Sequence, residues 1–197
     1  MGYTHSWEVR DWEAWAAAFP LIVYDARIII SHSGVPIGGP EPETDGPCAP
    51  LVSETEGIAL NGDQGDCHEP FILEPYLCDR AFCKTARKAY DMVVTAILIR
   101  AKKHAGDAFR VSSDGSWDEW ENGKEILEHL WPDEDVVCPL ERDDDEDDGY
   151  EQGAKSEGYA AGEETEESEY EGASPGWDHF GAEFAEFPPF SNSENHL

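Results

Sequence analysis

Phe82-Cys83-Lys84-Thr85-Ala86-Arg87-Lys88-Ala89-Tyr90-Asp91 puts three basic side chains within five positions of a chain whose formal net charge is −31. Lys84, Arg87 and Lys88 lie between an apolar alternating stretch and a long apolar periodic one, so the spacing predicts a strand end running into a helix N-terminus. Free backbone N–H groups and the helix dipole at such a start attract anions, and the three cations would add to that field. Thr85 is expected as the N-cap, with Asp91 one turn on from Arg87. A plainer reading competes: Thr85 only caps, Arg87 pairs with Asp91 along the helix, and the lysines are solvated.

A second group is Asp66-Cys67-His68-Glu69. Histidine is suited to proton transfer near neutrality, and a neighbouring carboxylate orients it, so His68 and Glu69 are candidate acid and base, with His5 a further candidate. Strand alternation would aim Cys67 and Glu69 one way and His68 the other. Against this stands an exposed edge histidine beside a core cysteine. Cys67, His68, Cys78 and Cys83 supply four possible metal ligands, but the spacing lacks the paired knuckles of zinc modules, so no metal site is assigned. Cys83 at a helix mouth would have a lowered pKa and could serve as a nucleophile. Asp114, in the turn Ser112-Ser113-Asp114-Gly115, is either a ligand contact or a turn former.

The elements that must hold these residues follow from periodicity. Tyr3 to His5 opens a short strand. Val9, Trp12, Trp15, Ala16 and Phe19 recur at helical spacing up to Pro20, after which Leu21 to Ile30 is a second helix or a kinked continuation. Ser31 to Pro50, rich in Gly and Pro, is a loop. Ile58 and Leu60 alternate before a turn at Asn61-Gly62, and Phe71 and Leu73 alternate after it, giving two strands joined through Cys67. Ala81 to Cys83 adds a third strand, Ala86 to Ala101 a helix ended by Gly106, Ala108 to Val111 a strand, and Ser116 to Leu130 a last helix closed by Pro132. This order predicts an α+β domain, a small mixed or antiparallel sheet with packed helices. Neither glycine-rich phosphate fingerprint occurs.

Composition divides the chain. Up to Pro139 there are 25 acidic and 11 basic residues; from Leu140 onward there are 19 and 2. The expectation is therefore a globular domain over 1–139 and a disordered acidic tail over 140–197, where ordering would cost about 1–2 kcal/mol per residue with little burial to offset it. Near the end of that tail, Trp177, Phe180, Phe184, Phe187 and Phe190 have the spacing of a linear motif that could anchor in a protein partner's groove. The acidity argues against direct nucleic-acid binding and against an anionic membrane surface. No apolar run long enough to span a bilayer is read from the sequence, and the N-terminus lacks a signal-peptide pattern. Five scattered cysteines suit reduced thiols, so the expected location is cytoplasmic, host cytoplasm if the source is viral.

Gly2-Tyr3-Thr4-His5-x-Trp7, Cys67-His68-Glu69-x-Phe71, Phe82-Cys83-Lys84-Thr85-Ala86-Arg87-Lys88-x-Tyr90-Asp91 and Ser112-Ser113-Asp114-Gly115 together resemble the motifs of a small uncharacterised protein family of tailed phages and microbes. The resemblance covers residues 1 to about 131. It implies a shared domain and a shared pocket and names no reaction or cofactor. The chain departs from the pattern at Ala89, where proline is usual, and in its acidic tail. The functional expectation is a small anionic or nucleotide-like ligand bound, or processed, by His5, His68, Glu69, Lys84, Thr85, Arg87, Asp91 and Asp114. The alternative is a non-enzymatic interaction protein acting through its acidic surface or tail, as a nucleic-acid mimic or host-factor binder.

Overall fold

A computed structural model describes residues 3–41, 48–76 and 80–141. The tail from residue 142 onward, with its aromatic motif, and Cys78 lie outside the described residues.

The fold is α+β, as the element order predicts. Strand β1 (Thr4–Val9) is followed by helix α1 (Trp12–His32), the short strands β2 (Ile37–Gly38) and β3 (Leu51–Ser53), and strands β4 (Gly57–Gly62), β5 (Phe71–Leu73) and β6 (Ala81–Lys84). Helix α2 (Asp91–Ala105), strand β7 (Phe109–Ser113), a 3-10 turn (Trp117–Trp120) and helix α3 (Glu121–Leu130) complete it. One antiparallel sheet has the order β6-β1-β7, and in a second β4 pairs with β2, β3 and β5, all antiparallel.

Alternation along β1 buries Tyr3, His5 and Trp7 and leaves Thr4, Ser6 and Glu8 half-buried. Because β1 is the middle strand, its register fixes both neighbours: His5 lies opposite Cys83 of β6 and opposite Ser113 of β7. Helix α1 starts later than its apolar pattern suggests, at an N-cap, Asp11, whose carboxylate accepts from the amides of Glu13 and Ala14 at 3.0 and 3.1 Å. It then runs unbroken through Pro20. Pro20 and Ala16 are both on the exposed side, where water can take the Ala16 carbonyl that the proline leaves unbonded. By length and composition α1 could cross a bilayer, an apolar stretch that the count of consecutive residues overlooks. Here Trp15, Phe19, Ile22 and Ile29 are instead fully buried in one core with Ile97, Phe109, Ile58 and Leu60, and Trp15 stacks on Phe109 at 4.8 Å between ring centroids.

Two local expectations are corrected. Asn61-Gly62 is the end of β4, paired with β2 inside the presumed loop, and not a turn. The buried Asn61 side chain instead pins the connection that follows, accepting from the amide of His68 at 3.0 Å and donating to its carbonyl at 3.0 Å. Glycine is needed at 62 because an added Cβ would meet the Asp66 carbonyl oxygen at 2.2 Å.

The second correction concerns Thr85, which caps nothing. Residues 85–90 form tight turns, α2 begins at Asp91, and its N-cap position, Tyr90, makes no side-chain cap bond. Five residues of the predicted helix are turn because Ala86 and Arg87 both adopt positive φ, 51° and 55°, closed by a 3.0 Å bond from the Lys88 amide to the Thr85 carbonyl. At its far end the folded chain continues past Pro139: Leu140 bridges Val111 in parallel, and the Glu141 amide bonds the Val111 carbonyl at 3.2 Å.

Candidate functional site

The contacts gather the sequence candidates into two groups, one on each side of the 84–88 segment. The outer group is His68, Glu69 and Lys84. His68 is exposed, and its Nδ1 donates to the Lys84 carbonyl at 2.6 Å, leaving Nε2 without a partner among the described residues. Glu69 accepts from the Lys84 amide at 3.0 Å and faces the Lys84 ammonium at 3.7 Å. Cys67 is half-buried and joins no metal-binding cluster; among the described residues no three His, Cys, Asp or Glu side chains converge to hold an ion.

Cys83 stands between the groups, and its expected reactivity is overturned. The thiol is buried, eight positions before the helix it was meant to precede, and donates to the Glu69 carbonyl at 3.3 Å. Burial pushes its pKa up to about 12, so the thiolate that attack requires is not formed near neutrality. The neighbouring Tyr90 phenol, also pushed upward by burial, donates to the same carbonyl at 2.7 Å.

The inner group is built on His5. Its ring is fully buried, with Nε2 2.8 Å from Asp91 Oδ1 and Nδ1 3.0 Å from Ser113 Oγ. Thr85, also buried, donates its hydroxyl to the same Asp91 oxygen. The Asp91 carboxylate sits at the first residue of α2. Tyr3 and Trp120 stand edge-on to the imidazole, with centroids at 4.9 and 5.0 Å. Their polar atoms, the Tyr3 hydroxyl and Trp120 Nε1, are buried without a hydrogen-bond partner. Burial, then the Asp91 and Glu119 carboxylates, push the Tyr3 phenol up to about 12, against the Arg87 guanidinium and the Ser113 hydroxyl, which lower it.

Arg87 closes this group from outside. Its guanidinium lies over the Tyr3 ring at 4.1 Å and pairs with Glu119, not with Asp91. Glu119 is held in turn by the Ser116 amide in a capping box, and that backbone bond, followed by Arg87, lowers its pKa. Lys88 takes Asp66 at 3.7 Å. Asp114 is exposed and is spent on the strand end, accepting from the Thr4 amide at 3.1 Å. Each of the three cations thus has its own carboxylate partner.

Sequence reasoning missed Tyr3, Ser113, Glu119 and Trp120. Only sheet register brings Ser113 to His5, 108 positions away, and no local spacing signals it. It also missed a cleft of about 270 Å³ between α2, α3 and residues 131–138, walled by Ile99, Leu127, Trp131, Val136 and Val137. The cations at its rim, Arg100 and Lys103, are already paired with Glu134.

No family model, curated protein or solved structure matches this chain.

Proposed function

We propose that this chain binds a small anionic or nucleotide-like ligand at the exposed rim formed by Lys84, Arg87 and Lys88. The observation that carries the reading is the consecutive left-handed backbone at Ala86 and Arg87. A non-glycine residue in that region costs roughly 1–3 kcal/mol, and such residues cluster at ligand sites, where the rest of the fold holds them. The turn presents the Arg87 guanidinium over the Tyr3 ring, with 59% of its side chain exposed. Exposed ion pairs contribute little to stability, so a phosphate can replace the carboxylates of Glu69, Glu119 and Asp66 without disturbing the fold. The buried His5, Asp91, Thr85 and Ser113 network behind the turn gives it a rigid support.

The test is thermal denaturation with inorganic phosphate, AMP and ATP over a concentration series. Binding raises Tm with ligand concentration, and Arg87→Ala and Lys84→Ala abolish the rise while leaving the ligand-free Tm nearly unchanged. A flat titration for all three probes, or a rise that survives both substitutions, overturns the reading.

A further inference from the structure

We propose that Ser113 is a base-activated nucleophile that accepts the acyl group of a compact ester, with His5 as its general base and Asp91 as the carboxylate that positions the ring. The inference stands apart from anion binding at Arg87 and uses different atoms.

The hydrogen-bond directions fix the roles. A carboxylate only accepts, so the neutral His5 ring carries its hydrogen on Nε2, toward Asp91 at 2.8 Å. Nδ1 then offers a lone pair to Ser113 Oγ at 3.0 Å. Ser113 Oγ already accepts the Gly115 amide at 3.0 Å, so its own hydrogen is free to point at Nδ1. Asp91 cannot swing away, because Thr85 donates to the same oxygen. This is the nucleophile–base–orienter chain of acyl transfer with the imidazole turned end for end, and the chemistry depends on the roles of the two nitrogens and not on their labels.

Burial is graded along the chain. His5 is fully enclosed, whereas Ser113 is half-buried at the end of β7.

In the step itself, Ser113 Oγ bonds to the ester carbonyl carbon while its proton passes to His5 Nδ1. Collapse of the tetrahedral intermediate breaks the bond to the alcohol oxygen, which leaves with that proton. Water, deprotonated by the same nitrogen, then releases the acid and restores Ser113.

The test uses the full chain and a small alkyl fluorophosphonate, in which Ser113 Oγ would bond phosphorus and fluoride would leave. Intact mass and peptide mapping are expected to find one adduct, on Ser113, formed at least ten-fold more slowly in Asp91→Asn with a shifted pH profile. The adduct is retained in Arg87→Ala. An unlabelled protein, an adduct on another residue, or an unchanged rate in folded Asp91→Asn overturns the proposal. Mapping on the wild type keeps the test decisive even where Ser113→Ala fails to fold.

Discussion

The two ends of helix α2 each hold a carboxylate against a histidine, and they differ in what else touches the carboxylate. At the start of the helix Asp91 meets His5 and the Thr85 hydroxyl, and no permanent cation bonds it. At the far end Asp25 of α1 meets His104 at 2.6 Å and the Arg100 guanidinium at 2.5 Å on one oxygen. Arg100 reaches on to Glu134 at 2.5 Å, and Glu134 takes Lys103 as well. The guanidinium satisfies Asp25 permanently and makes that end a fastener between α1 and α2. The first end has hydroxyls in place of the guanidinium, from Thr85 on Asp91 and from Ser113 on His5. The same pair of residue types is thus locked by a cation at one end and left to hydroxyls at the other, according to its third neighbour.

That contrast can be broken most strongly at the fastener. Arg100→Met leaves the buried Asp25 without its cation, and urea denaturation is expected to show a loss of about 3–5 kcal/mol. His5→Ala is expected to cost less, about 1–3 kcal/mol, because Asp91 keeps Thr85 and is partly solvated; a loss as large as that of Arg100→Met would erase the distinction between the two ends.

Acid sharpens the comparison next. Bonds from Lys103, then Arg100, hold Glu134 down to about 2 from an ordinary 4.5. A depressed carboxylate stabilises the fold fully above its unfolded pKa, so this contribution is intact above pH 4.5 and disappears between about 4.5 and 2. Glu134→Gln is expected to flatten the stability profile in that window. Ala86→Gly, which relieves one left-handed residue, is the smallest effect: a gain of about 1 kcal/mol in the ligand-free protein, read from the denaturation midpoint.

The α+β class and most of the elements were legible because they follow from local rules. Apolar alternation located β1, β4, β5, β6 and β7, and the apolar face of α2 located the helix but placed its start five residues early. What misled was also local: Thr85 has the chemistry of a cap, but its hydroxyl is used across six residues on Asp91, and nothing in the letters shows that Ala86 and Arg87 turn left-handed. Proline marked a break in α1 that the exposed face tolerates. Of the candidate site, His5, Thr85 and Asp91 were named from the sequence, yet their partners Tyr3, Ser113 and Trp120 come together only through strand register and the closing 3-10 turn, which residue spacing does not encode.

The placement of β1 between β6 and β7 has a consequence for how the chain acquires its shape. Both neighbours are encoded far downstream, and pairing with the second spans more than a hundred residues. As the chain leaves the ribosome, one edge of β1 waits for Ala81–Lys84 and the other for Phe109–Ser113, so this sheet closes only after nearly the whole described body has been synthesised. High contact order of this kind slows folding and leaves sheet edges open to other chains in the interval.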